Sequence, residues 1–274
     1  STNGNHITTN NIQKIAGIGF DYVGISLDGI GQVHDNFRRK KGAFEEALNG
    51  IRLCKANNIK VGIRFTLTQE NYMSLPELLK LQEQENINKF YLSHLNYSGR
   101  GQRNRGKDAH FGMTKNAMNL LFETAWNNIQ QNTHREFVTG NNDADAVYLL
   151  HWIEKHFPEH VSHIRGKMRQ WGGNQTGVSI ANIDNLGNVH PDSFFWNYTL
   201  GNVREKKFSD IWMDTTDPLM AGLKKENREI KGRCSKCNYF DVCNGNTRTR
   251  AFQVHKDPWA EDPGCYLTDE EIGL

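Results

Sequence analysis

Five consecutive stretches between residues 22 and 95 decide the fold: YVGISL (22–27), AFEEALNGIRLCKAN (43–57), KVGIRFTL (60–67), SLPELLKLQEQE (74–85) and KFYLSHL (89–95). The first, third and fifth are short and rich in β-branched and aromatic residues, which predicts strands, whereas the second and fourth repeat apolar residues at helical spacing. Phe44, Ala47, Leu48 and Ile51 share one face of the second stretch, and Leu75, Leu78 and Leu79 one face of the fourth. Alternation of this kind means parallel βαβ units, because parallel neighbours need a crossover long enough to hold a helix. The class is therefore α/β.

Upstream, Ser1-Thr2-Asn3-Gly4 reads as a strand-to-loop turn, followed by a helix through Ile12 and Ile15 that Thr8 or Thr9 is expected to cap. It reads as a barrel entered in its middle. Downstream, residues 98–112 form a loop rich in Gly, Arg, Lys and Asn, and helices are expected at 114–130, 144–156 and about 162–170, where the alternation ends. After the turn Trp171-Gly172-Gly173-Asn174, short strands are expected around Asp184-Asn185-Leu186-Gly187-Asn188, which is hairpin chemistry. The expected division is residues 1–171, barrel units with linking helices, and residues 172–274, a smaller loop-rich domain.

Composition narrows the partners. The 274 residues carry 33 basic and 31 acidic side chains, a formal net charge of +2. No global field draws such a chain to nucleic acid or to an anionic membrane, so neither is expected as a partner. No apolar run reaches spanning length, and the polar start lacks a signal-peptide profile. Of five cysteines, four crowd between 234 and 265, a poor disulfide framework and a good metal site. A reducing, cytoplasmic location is the expectation.

Cys234, Cys237, Cys243 and Cys265 form C-x2-C-x5-C-x21-C. Two cysteines two residues apart clasp one metal centre from a single turn, and neighbouring loops must deliver the other two. Four thiolates satisfy tetrahedral zinc or a cubane iron-sulfur cluster, and the spacing leaves both open. Cys54, on the inner face of a predicted helix, reads as a small buried hydrophobe.

Gly187-Asn188-Val189-His190-Pro191, Leu200-Gly201-Asn202-Val203-Arg204 and Phe208-Ser209-Asp210-Ile211-Trp212, followed by the cysteines, resemble the SPASM extension of radical S-adenosylmethionine enzymes. Ile25-Ser26-Leu27-Asp28-Gly29, with His34, Asp35 and Arg38, is similar to the fourth strand and following loop of the barrel in that family. Residues 137–152 (FVTGNNDADAVYLLHW), 182–192 (NIDNLGNVHPD), 211–223 (IWMDTTDPLMAGL) and 257–272 (DPWAEDPGCYLTDEEI) look like its branch in heme d1 biosynthesis. The resemblance implies a partial radical SAM (βα) barrel followed by a small SPASM-like iron-sulfur domain. It also implies removal of propionate side chains from a didecarboxysiroheme-type iron tetrapyrrole, with S-adenosylmethionine as cofactor and flavodoxin or ferredoxin as electron donor. The metal is then an auxiliary 4Fe-4S cluster on Cys234, Cys237, Cys243 and Cys265.

Two departures from the family pattern shape the expectation. No cysteine precedes Cys54, so the C-x3-C-x2-C motif of the radical-generating 4Fe-4S cluster is not among these residues. The chain is expected to be a fragment lacking roughly the first three strands of the barrel, and inactive alone. Asp192 and Asn244-Gly245-Asn246 stand where many SPASM domains carry further cysteines, which leaves ligands for one auxiliary cluster.

Parallel barrel strands present function at their C-terminal ends, so Ser26, Asp28, Arg64, Thr66, Ser93, His94 and Asn96 sit where ligand contacts belong. By resemblance, Ser26, Asp28, Arg64 and Ser93 are expected to contact S-adenosylmethionine. For a propionate-bearing substrate, Arg100 and Arg103 offer cations and Trp196, with Trp171, a flat apolar wall; the run Arg38 to Lys41 reads as a solvated face. His190 and Asp192 are the catalytic candidates, while His151, His156, His160 and His163 suit an exposed helix edge. The competing readings are a peptide-modifying SPASM maturase, a zinc-stabilised non-catalytic module and a heme-synthesising decarboxylase.

Overall fold

The computed structural model describes residues 1–274 and divides them into two compact units, residues 1–95 with 107–140 and residues 96–106 with 141–274. In chain order come α1 (Ile12–Gly17), β1 (Tyr22–Ser26), α2 (Gln32–Arg38), α3 (Ala43–Ala56), β2 (Lys60–Thr66), α4 (Leu75–Gln84) and β3 (Lys89–Ser93). Then follow α5 (Arg100–Arg103), which belongs to the second unit, α6 (Phe111–Gln130) and β4 (Glu136–Gly140).

The four strands of the first unit are all parallel, in the order β1-β2-β3-β4. One face carries Val23, Ile25, Val61, Ile63, Phe65, Phe90 and Leu92, all buried, as period-two alternation requires. Helix α3 packs on β1 and β2, α4 on β3, and α6 on β4 and α4. The apolar faces of α3 and α4 read from the sequence are the buried ones, and each fully buried Leu, Ile or Phe contributes roughly 1.5–3 kcal/mol. Cys54 lies within this layer as a buried hydrophobe.

The opposite face is polar and aromatic. Register sets Ser26 beside Arg64, Thr66 beside Ser93 and Ser93 beside Gly140. Glycines let large side chains lie flat here: a Cβ on Gly62 would fall 2.3 Å from Tyr22 Oη, and one on Gly140 would fall 2.0 Å from Tyr91 Oη. Helices on one face and functional groups on the other is the layering expected of barrel units.

Three expectations are corrected. The alternation does not end at 112, because β4 adds a fourth parallel strand beside β3. Its five residues start on a charge and are nowhere fully buried, so they carry little strand signal. Helix α1 begins after Asn11 with no side-chain cap, and Thr8 instead donates its N–H to Asn11 Oδ1 at 2.9 Å. Finally, the second unit takes in residues 96–106 and all residues from 141 onward, where a boundary near 172 was expected. It contains α7 (Ala144–His156) and α8 (Val161–Trp171), because both pack against α11 (Phe240–Cys243), an element of the cysteine region.

The second unit also contains a small antiparallel sheet of β5 (Asn182–Ile183), β6 (Asn188–His190) and β7 (Gly201–Asn202). Its remaining helices are α9 (Phe208–Met213), α10 (Pro218–Leu223) and α12 (Arg248–His255). Phe195, Leu219, Met220 and Leu223 form an apolar centre, with Trp212 and Trp259 packed on it. No helix of the chain is long and apolar enough to cross a membrane.

Gly4 sets the approach of the first loop to α3. At φ +80°, a Cβ there would stand 3.0 Å from Ile25 Cγ2 and 3.1 Å from the Ala47 backbone. Neither neighbour has room to yield, so Gly4→Ala is expected to destabilise the first unit by about 1–3 kcal/mol, read as a lower urea midpoint with an unchanged slope.

Candidate metal centre

The four cysteines come from three stretches of backbone. Cys234 lies in a single 3-10 turn (Gly232–Lys236), Cys237 follows it, Cys243 ends α11, and Cys265 sits in the loop after α12. Despite that separation, all four line one cavity, among the apolar side chains of Ala144, Val147, Phe240, Leu267 and Ile272. No three His, Cys, Asp or Glu side chains gather tightly enough to hold a single ion. The thiols instead ring a shared space.

Backbone amides are aimed at the sulfurs. Tyr239 N donates to Cys237 Sγ at 3.4 Å, the Asp262 amide to Cys234 and the Leu267 amide to Cys265. Burial, the largest influence on each, pushes all four thiols up, Cys265 to about 11 and Cys243 well above its ordinary value. Without metal the protein therefore holds these groups protonated, and metal loading must release protons. Four thiols around one apolar cavity, with N–H donors on three of the sulfurs and a buried guanidinium nitrogen of Arg248 left without a partner, fit an iron-sulfur cluster.

The frame around the cavity is polar and buried. Asp262 receives Arg250 through two nitrogens, Nε to Oδ1 at 2.8 Å and Nη2 to Oδ2 at 2.9 Å, together with Thr247 N and Gly264 N. Asn246 Nδ2 donates to Asn142 Oδ1 at 2.6 Å, which ties the turn after Cys243 to the start of α7. Asn174 N donates to the Cys243 carbonyl at 3.1 Å. Beside it, a Cβ on Gly173 (φ +62°) would lie 2.5 Å from the Cys243 carbonyl carbon. Arg248, Arg250 and Asp262 escaped sequence reading, and Gly173 and Asn246 entered it only as part of a turn and as part of a departure from the SPASM pattern. The one available signal was the basic run Arg248-Thr249-Arg250 so close behind a cysteine.

In the first unit the predicted S-adenosylmethionine contacts gather at the strand ends. Ser26, Arg64 and Ser93 are half-buried there, and the Arg64 guanidinium lies 4.1 Å from the centre of the Tyr91 ring. Asp28 is different. It is fully buried, accepts from Thr66 N at 3.0 Å and from Arg38, and gives its own N–H to His34 Nδ1 at 2.9 Å. Burial raises its carboxyl despite the opposing Arg38 charge. Its hydrogen bonds fasten the loop after β1, and of the basic run that follows, Arg38 and Lys40 are engaged with Asp28 and Glu46.

The catalytic candidates are likewise committed to structure. The two ring nitrogens of His190 meet Tyr198 O at 2.7 Å and Asp184 Oδ2 at 3.4 Å, and Asp192 accepts from Thr176 Oγ1 at 2.6 Å and Phe194 N at 2.8 Å. Neither residue lines the cysteine cavity. Around Asp184, burial pushes upward, but the Asn188 side chain and amide, the Leu186 amide and His190 outweigh it and hold the carboxyl at about 2. Arg100, Arg103 and Trp196 are exposed. Ser98, two residues before Arg100, donates to the carbonyl of Phe194, two before Trp196, at 2.7 Å. Those predicted substrate groups thus share one region of the second unit. Trp171 is more exposed still, while His151 bonds the Glu271 carbonyl at 2.8 Å and His156 stacks near Trp152. His160 and His163 lie exposed on the same stretch.

Comparison with known proteins follows the same division. The radical SAM superfamily matches residues 1–82, and the SPASM iron-sulfur cluster-binding domain matches residues 176–238. The chain is 52% identical over 275 residues to the pre-heme d1 synthase of Dinoroseobacter shibae, covering 100% of this chain and 68% of that protein. It is 41% identical over 276 residues to the Fe-coproporphyrin III synthase of Methanosarcina barkeri, covering 100% and 69%. Among solved structures, Streptococcus suis SuiB bound to S-adenosylmethionine superposes with a TM-score of 0.68 at 17% identity, over 97% of this chain and 58% of that one, a likeness of fold alone.

Two outcomes are expected from this geometry. Gly173→Ala alters no ligand yet pushes on the Cys243 carbonyl, so it is expected to lower the iron bound on anaerobic reconstitution several-fold, while far-UV circular dichroism stays unchanged. Asp184 has a folded-state value below the unfolded one of about 3.9, so its contribution is complete above the unfolded value and is lost as pH falls toward 2. The melting-temperature gap between wild type and Asp184→Asn is therefore expected to be wide at pH 7 and to close toward pH 2.

Proposed function

The chain belongs to the radical SAM superfamily and carries that family's SPASM extension, and on this premise we propose that it serves an enzyme of heme d1 biosynthesis that removes propionate side chains from a didecarboxysiroheme-type iron tetrapyrrole. The observation that carries the reading is the convergence of Cys234, Cys237, Cys243 and Cys265 on one cavity. These thiols hold one auxiliary 4Fe-4S cluster in this reading. The 52% identity to a pre-heme d1 synthase supports the substrate class over the peptide-modifying alternative.

When bound, S-adenosylmethionine would supply hydrogen-abstracting chemistry. The chain's own residues bind and orient. Ser26 offers a hydroxyl to the methionine amine or carboxylate, and Arg64, held over the Tyr91 ring, offers a planar fork to the carboxylate. Ser93 completes the row of strand ends, and Asp28 keeps the adjoining loop in shape. Arg100 and Arg103 pair with substrate carboxylates, and Trp196 lies against the macrocycle. Flavodoxin or ferredoxin delivers electrons, and a reducing cytoplasm suits the free thiols.

Iron, sulfide and zinc content with a Mössbauer spectrum, on chain reconstituted without oxygen, tests the cluster. One cubane per chain that is lost in Cys234→Ala and in Cys243→Ala is the expected result, and a colourless chain with one tightly held zinc would overturn it. Substrate binding has its own test. Exposure limits each arginine to about 1 kcal/mol, so the Arg100→Ala, Arg103→Ala double variant is expected to weaken binding of an iron isobacteriochlorin by about 30-fold. An unchanged affinity removes these residues from the substrate site.

A further inference from the structure

Arg248 opens α12, five residues after Cys243, and its side chain is completely buried. A guanidinium remains charged in the interior only where its surroundings repay the lost hydration, so its contacts reveal its task. Nε donates to Asn246 O at 3.2 Å, and Nη1 donates to Pro258 O at 2.9 Å and Ala260 O at 2.7 Å. Those carbonyls belong to the turn after Cys243 and to the loop that leads to Cys265. The side chain thereby clasps the two backbone segments that deliver two of the four thiols.

The fourth side of the group is unanswered. Nη2 is buried without a hydrogen-bond partner, and it stands 3.5 Å from where a Cβ on Gly245 would lie, Gly245 being part of the cavity wall. The nearby carboxylate, Asp262, already faces Arg250 through both oxygens. Burial pulls the Arg248 guanidinium down from its ordinary value, and the groups that act against this are Asp262, then Cys234 and Cys243. Other arginines nearby are placed differently. Arg228 is also buried but donates through Nε, Nη1 and Nη2 to Leu223 O, Asn174 Oδ1 and Thr176 O. Arg233, on the cavity wall, is paired with Asp269 and reaches solvent.

We propose that Arg248 is a positioning residue whose buried charge and unpartnered N–H, beside the cavity wall at Gly245, raise the reduction potential of the cluster that the four cysteines bind. The inference rests on the cluster reading given under the proposed function. Its physical basis is that one-electron reduction adds negative charge to a centre walled by apolar side chains. A fixed cation at short range stabilises the reduced form more than the oxidised one, and hydrogen bonds to sulfur and local charge are the levers by which protein sets such potentials.

The test is an EPR-monitored redox titration of the reconstituted chain as wild type, Arg248→Gln and Arg248→Lys. Expected for Arg248→Gln, read on the clusters that load, is a reduced-to-oxidised ratio at fixed potential lowered about ten-fold, a midpoint about 59 mV more negative for one electron. Arg248→Lys keeps the charge and is expected to show less than half that shift. A loaded Arg248→Gln cluster with an unmoved midpoint overturns the inference while leaving the cluster reading intact. If Arg248→Gln fails to fold, pulsed EPR on the reduced cluster of Arg233→Lys protein, labelled with 15N in the arginine guanidino groups, decides: a guanidino nitrogen coupling supports the inference and its absence overturns it. Failure of the wild-type chain to load any cluster overturns the cluster reading itself, and the inference with it.

Discussion

The buried ion pair between Arg250 and Asp262, both almost wholly removed from solvent, is the interaction on which the cysteine region depends. Its two charge-assisted contacts lock the start of α12, just beyond Cys243, to the loop that runs into Cys265. The remaining acceptor capacity of Asp262 takes the amides of Thr247 and Gly264, and its own amide points at Cys234. Asp262, through its carboxylate and its amide, thus ties together the segments that carry Cys234, Cys243 and Cys265. Such a pair gives little net stability relative to apolar packing, yet removing one partner costs roughly 3–5 kcal/mol because the other charge is left buried. Its value here is in geometry: residues without regular structure are brought to one arrangement.

The two units reach their functional groups by different physics. In the first, a parallel ladder satisfies the backbone, so strand ends are rigid and side-chain direction follows from register alone. Ser26, Arg64 and Ser93 are neighbours for that reason, and glycines at 24, 62 and 140 leave room for Tyr22, Arg64 and Tyr91 to lie across the sheet. In the second, strands are two or three residues long, and the thiols sit on a 3-10 turn, a four-residue helix and a loop. Loop backbone carries polar groups that no ladder satisfies, and Asn142, Asn174, Asn246, Arg228 and Arg248 are buried to answer them.

That difference governs what was readable. Strands β1 to β3 and helices α3 and α4 were legible within a residue or two, because periodic burial writes itself into hydrophobic spacing. Strand β4 was not, since five residues beginning on Glu136 carry too short a pattern. Asp28 lies just past a strand end as expected, and its hydrogen bonds with Thr66 and Arg38 add a fastening of the following loop that no local pattern announced. His190 and Asp192, polar residues beside the cysteine lobe, proved to be held by Tyr198, Asp184, Thr176 and Phe194.

The sequence by itself determined the class of the fold, the order of its two parts and the identity of the four thiols, because hydrophobic period and cysteine spacing are local quantities. Only the tertiary structure decided that these thiols share one cavity, that α7 and α8 belong with them, and that Gly173, Arg248, Arg250 and Asp262 hold them in place. Convergence of segments up to about thirty residues apart is set by long-range burial and by the hydrogen bonds that buried polar groups must find. No local pattern encodes which distant partner each will choose.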